Sequence, residues 1–210
     1  MLIGFLLKGI AIGVVIAVPV GPVGVLCIRR TIFSGRLAGF LSGLGAATGD
    51  AVFGIIAGFG LTFVSDLLLG YQRWLRIVGA AFLLYIGAKA LFAAPESVAK
   101  SEPDPETLVR FFASTFALTL TNPITLLSFV AIFAAVGLAG TEATIGTAAT
   151  LVFGIWVGSL LWWLTLSLAA GLWRRSLGER HLKWINRGSG GILVLSGIAL
   201  IGTLVADYLR

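Results

Sequence analysis

A-P-E-S-V-A-K-S-E-P-D-P-E-T, residues 94–107, is the one long polar stretch in a chain of 210 residues. It falls midway along the sequence and reads as a linker. Outward from it, apolar stretches lie near 2–28, 37–63 and 74–93 on one side and near 111–137, 148–172 and 189–207 on the other. A spanning helix needs about 20 mostly apolar residues, so each stretch is long enough to cross a bilayer. Composition agrees, with 58% hydrophobic and 11% charged residues and a mean hydropathy of +1.04, whereas soluble domains sit near a quarter charged. The expected fold is an all-α membrane protein of six transmembrane helices, with the lipid bilayer as its main solvent. Lys8 precedes an apolar run, but nothing after Val18 resembles a small-residue cleavage site, so no cleaved signal peptide is expected.

The two sides of the linker repeat each other. Pro22 aligns with Pro123 at an offset of 101, Gly45 and Gly49 with Gly154 and Gly158 at 109, and Trp74, Leu83 and Gly87 with Trp184, Leu193 and Gly197 at 110. The matches keep their order, which predicts a first repeat over about 1–93 and a second over about 108–210. Three spans per half is an odd number, so the halves enter the membrane in opposite directions, as inverted repeats do in secondary transporters. The whole chain therefore reads as a single transmembrane transporter domain.

Several functions are excluded by what the chain lacks. Cys27 is the only cysteine, so no internal disulfide or dithiol relay can form. His181 and Met1 are likewise single, which removes the usual zinc and copper ligand clusters. No phosphate-binding loop is present. No cofactor, no metal and no enzymatic activity are expected. The net charge of +6 comes from residues spread among the loops rather than from one basic domain, so no nucleic-acid partner is expected. Of the fifteen Lys and Arg, eleven fall in connections 1–2, 3–4 and 5–6, and Lys8, Arg73, Arg76 and Arg210 fall on the opposite face. By the positive-inside rule the first side is cytoplasmic and both termini lie outside.

The chemistry is expected at two helix breaks and one acid. Val18 to Gly24 reads V-P-V-G-P-V-G, and Leu120 to Thr125 reads L-T-N-P-I-T in the matching place of the second half. Proline removes a backbone donor and glycine leaves helical geometry cheaply, and the freed groups are tolerated in lipid only where they line a cavity or find a partner. Pro19, Gly21, Pro22, Thr121, Asn122 and Pro123 are therefore the expected substrate cradle, one suited to a zwitterion, since helix N-termini face anions and bare carbonyls face cations. An ordinary packing kink is the plainer alternative.

Asp50 lies at the midpoint of the second stretch, with no other acid in any apolar core. Burying it ionised costs about 2.5 to 3.5 kcal/mol on insertion scales. It is expected to couple protons or to pair with a substrate ammonium; the alternative is a neutral acid bonded across helices to a group such as Thr48 or Asn122. The matching residue in the second half is Ser159. Gly45, Gly49, Gly154 and Gly158 form two G-x-x-x-G pairs and are expected to pack helices closely, within one chain or between two, which leaves a homo-oligomer open. Trp162, Trp163, Trp173 and Trp184 are expected as interfacial anchors, and Arg73 and Arg76 as a solvated helix end, with the steering of an anionic group as the alternative.

These residues together resemble the lysine exporter family (LysE/RhtB type) of amino-acid efflux proteins over nearly the whole length. The resemblance is carried by V-G-P at 20–22 followed by V-L-C-I-R-R-T at 25–31, G-x-x-x-G-D at 45–50, W-L-R-I-V-G-A-A-F-L-L-Y-I-G at 74–87 and T-N-P at 121–123. It departs from the family pattern in two places: the usual Pro-Gly-Pro is Val20-Gly21-Pro22, and Ile124 stands where a lysine often follows Asn-Pro. The resemblance implies a multi-pass protein of the bacterial inner membrane that exports a small molecule, an amino acid, in exchange for protons. A cation exporter on the same fold and a non-transporting membrane scaffold are the rival readings.

Overall fold

A computed structural model describes residues 2–18, 21–58, 62–92, 103–122, 125, 129, 144–173 and 179–208. Among these there are seven helices and no strand: α1 (Leu2–Ala17), α2 (Pro22–Ser34), α3 (Arg36–Gly58), α4 (Thr62–Phe92), α5 (Pro105–Leu120), α6 (Ile145–Trp173) and α7 (Glu179–Tyr208). Three of them, α3, α6 and α7, are long and apolar enough to cross a membrane alone, and α1 with α2 makes a fourth if a pair bent by 83° counts as one span. Of the six expected spans, the later part of the fourth lies almost wholly outside the described residues.

The ends of these helices follow from local chemistry. Gly21 caps α2 in extended conformation and Pro22 takes its first turn, where the missing N–H is no loss. At the other end Gly35 adopts φ 103° and returns its N–H to the Thr31 carbonyl, a left-handed turn that favours glycine. Because α3 starts at the next residue, α2 and α3 form a tight pair. Asp104 caps α5 by accepting from the Thr107 amide at 2.7 Å, with Pro105 beside it.

Packing is organised by pairs. α1 lies along α6, α3 lies along both α5 and α6, and α4 lies along α7, while α2 reaches α3, α6 and α7. The α1–α6 seam is made of glycine on both sides: a Cβ on Gly9 or Gly13 would strike the carbonyls of Leu151 or Ile155, and one on Gly154 or Gly158 the carbonyls of Leu6 or Ile10. Gly45 and Gly49 bring α3 onto α5 in the same manner, against the Phe112 carbonyl and the Thr119 side chain. Small residues allow such approach, and in lipid it is packing that joins helices. Residues aligned between the halves share environments: Leu83 and Leu193 are buried, and Trp74 and Trp184 are 64% and 67% exposed.

Candidate functional site

Asp50 is carried by the middle of α3 at its crossing with α6 and is only 4% exposed. Its partner is the residue aligned with it in the other half: the Ser159 hydroxyl donates to Asp50 Oδ2 at 2.7 Å. Ser159 in turn accepts from the indole Nε1 of Trp163, one turn along α6, at 3.1 Å. A single hydroxyl thus serves as donor to the acid and acceptor for the indole. Thr48 takes no part, because its hydroxyl folds back on the Leu44 carbonyl at 2.7 Å. Trp163 is buried, which corrects its assignment as an interfacial anchor; Trp173 and Trp184 are exposed.

A cavity of about 50 Å³ opens beside the acid and is bounded by Gly21, Pro22, Asp50, Thr119, Asn122 and Trp163. At about 10–15 Å³ per water, it holds roughly three to five waters and no amino acid. Of the expected cradle, Gly21, Pro22 and Asn122 meet here around Asp50, whereas Thr121 faces a different and larger cavity of about 370 Å³. Pro19 and Pro123 lie outside the described residues. The two cavities share Pro22, Val23 and Asn122 as a common wall.

Two arginines occupy places their counting as loop charges did not foresee. Arg30 is buried on α2, 7% exposed. Its Nη1 donates to Ser42 Oγ at 3.0 Å, to the Phe111 carbonyl at 2.8 Å and to Thr115 Oγ1 at 2.7 Å, and its Nη2 to Ser114 Oγ at 2.8 Å. The guanidinium also stands over the Phe111 ring at 4.5 Å. One side chain so ties α2 to α3 and α5, the helices on which Asp50 and Asn122 depend. The signal was present in the sequence: Val23, Cys27 and Arg30 fall on one helical stripe, and the first two are plainly core residues. Arg76 sits well inside α4, which begins fourteen residues earlier at Thr62, and lines the larger cavity. The expected solvated helix end is an interior position.

The arrangement can hold a proton, or a few waters, at an acid enclosed between two crossing helices and two helix breaks. Among the described residues no group of three His, Cys, Asp or Glu is placed to hold a metal ion.

Comparison with known proteins places the chain among exporters. It is 30% identical to a Bacillus subtilis (strain 168) protein, YcgF, described as a candidate amino acid efflux protein, over 91% of this chain and 92% of that one. It is 31% identical to the uncharacterised membrane protein YahN of Escherichia coli (strain K12), over 83% and 78% of the two chains. A third relative, the leucine efflux protein of Salmonella typhimurium, is 32% identical over 57% of this chain and 56% of its own. No solved structure matches the chain. The LysE type translocator family matches residues 14–203, nearly the whole sequence, and the chain belongs to that family.

Proposed function

We propose that the protein is a secondary exporter of small amino acids across the bacterial inner membrane, exchanging them for protons at Asp50. Two inverted three-helix halves form its single transporter domain, with both termini outside. The observation that carries this reading is the Asp50–Ser159 contact. A membrane-buried carboxylate meets its own aligned position in the other half, against a water-sized cavity bounded by both helix breaks. Intramembrane acids mark ion and proton pathways.

The helix pairings support the inverted repeat. Exchanging α1 with α5, α3 with α6 and α4 with α7 turns the α1–α6 pair into the α5–α3 pair and leaves α3–α6 and α4–α7 unchanged. Each half also brings its G-x-x-x-G helix onto the first helix of the other. The relatives named for amino acid efflux support the substrate class. Protons supply enough energy, since one charge crossing 100 mV is worth about 2.3 kcal/mol.

The test is efflux from vesicles preloaded with amino acids, holding purified wild type or Asp50→Asn, with and without an imposed pH gradient. Gradient-driven efflux of an amino acid that disappears in the variant is the expected result. No flux of any amino acid by the wild type would overturn the reading and turn attention to inorganic cations or a scaffold role.

A further inference from the structure

The α4–α7 pair is nearly symmetric at the offset of 110 that aligns Trp74 with Trp184. A Cβ on Gly87 would meet Val194 and the Gly190 carbonyl, and one on Gly197 would meet their aligned partners, Leu84 and the Ala80 carbonyl. Exchanging the two helices therefore returns the same contacts. The cavity of about 370 Å³ lies on one flank of this pair, where Arg76, Leu83, Ser196 and Leu200 face Thr121 and Asn122. The exchange carries its lining to definite counterparts: Arg76 to Asn186, Leu83 to Leu193, Ser196 to Ile86 and Leu200 to Ala90.

In that counterpart place stands α2. Asn186 is 2% exposed, and Leu193 and Ala90 are buried. Arg29 of α2 donates from Nε to Asn186 Oδ1 at 3.0 Å. Beside that bond Ile32 and Phe33 of α2 form an apolar cluster with Leu182 of α7, and Ile86 packs on the cluster that holds Leu26 and Cys27. One polar group is left over: Asn186 Nδ2 is buried without a hydrogen-bond partner among the described residues. A buried donor lacking an acceptor is costly, so the seat of α2 on α7 contains both a bond that holds it and a group that opposes it. Two arrangements close in energy are what a moving element needs. Arg30 binds α2 to α3 and α5, which leaves the seam with α7 as the one able to part.

The geometry points to the α2–α7 seam as the gate of a second cavity, the counterpart of the open one, with the Arg29–Asn186 bond as its latch. Once the gate parts, Asn186, Ile86, Leu193 and Ala90 line a cavity that opens toward the Ser34 end of α2, while the present cavity closes. This gate rests on the inverted-repeat reading of the exporter and adds to it the residues that change partners.

The experiment reads solvent access at one residue of each cavity. Ser196→Cys and Ile86→Cys, each with Cys27→Ala to remove the native thiol, are placed in vesicles. Sulfonatoethyl methanethiosulfonate, which is charged and stays on the side where it is added, is applied to one face or the other. Ser196→Cys is expected to react from one face and Ile86→Cys from the opposite one. Adding Arg29→Met removes the latch and should raise the rate at Ile86→Cys about tenfold, the worth of one charged hydrogen bond. The rate at Ser196→Cys should fall, because one arrangement grows at the other's expense. Adding Asn186→Asp, which gives Arg29 a charged partner, should do the reverse. Rates that rise together at both positions would mean a loosened fold and overturn the gate, as would reaction of both from the same face or no response to Arg29→Met. Amino acid efflux by the wild type is measured in the same vesicles. Efflux without the opposed rates refutes the gate and leaves the export reading standing; opposed rates without efflux of any amino acid refute the export reading and leave the gate.

Discussion

Ser159→Ala separates the structural part of the Asp50 site from its ionic part. The hydroxyl it removes makes two bonds at once, donating to Asp50 at 2.7 Å and accepting from Trp163 Nε1 at 3.1 Å. Its loss leaves the buried indole N–H without an acceptor, which costs about 1–3 kcal/mol, and removes a bond to Asp50 worth about 1 kcal/mol or more. We therefore expect a destabilisation of about 3 kcal/mol. For a chain of this size that corresponds to a fall in melting temperature of roughly 6–12 °C. Asp50→Asn behaves differently, because the amide oxygen still accepts from Ser159; its melting temperature should stay within roughly 4 °C of wild type, about 1 kcal/mol. Trp163→Phe loses the indole bond alone and should fall between the two. The assay is thermal melting of the purified variants in detergent, followed by loss of the monodisperse peak on size exclusion. If Ser159→Ala melts with the wild type, or Asp50→Asn melts more than about 4 °C below the wild type, the hydrogen-bond reasoning is wrong.

The glycine seam gives a matched pair of variants: Gly158→Ala drives a methyl into the Ile10 carbonyl, whereas Gly202→Ala enters open space. Overpacking costs about 1–3 kcal/mol and alanine's helix propensity returns up to about 1 kcal/mol, so only Gly158→Ala should lower the melting temperature. Arg30→Met removes four hydrogen bonds that join α2 to α3 and α5; a loss of about 3 kcal/mol is expected, and a melting curve unchanged from wild type would remove Arg30 from the account. Bonds from Thr107 hold the Asp104 carboxyl below its usual 3.8. A lowered native value means that its capping contribution is present above that usual value and is lost as pH falls through the native one. Amide exchange at Thr107 and Leu108, corrected for intrinsic rates, should therefore rise on acidification in the wild type and not in Asp104→Asn.

Much of this was legible in the sequence, and the gaps have physical causes. Asp50 announced itself because an acid at the centre of an apolar stretch has no cheap alternative. Its partner did not, since alignment gave Ser159 as a counterpart, and a counterpart touches its mate only at a symmetry axis. Trp163 was misjudged by its neighbour: adjacent helical residues point about 100° apart, so of Trp162 and Trp163 one had to turn inward. Arg30 was counted by its distance from a loop, when its helical stripe was the better guide. Arg76 was placed at a helix end because hydropathy starts the third stretch at Trp74, while α4 runs back to Thr62.

The meeting of Asp50 with Ser159 also bears on how such a chain can have arisen. If the halves descend from one duplicated ancestor, a position was free to keep the same residue twice wherever its two copies do not touch. Positions 50 and 159 were not. An aspartate at both would set two carboxylates at hydrogen-bonding distance, where like charges cannot both ionise and one proton is shared. A duplicated gene that began with acid in both halves had to lose one of them there to leave a single freely titrating group. On the inverted-repeat proposal, this contact is a place where the two halves could not both keep the acid, and serine stands on one side of it.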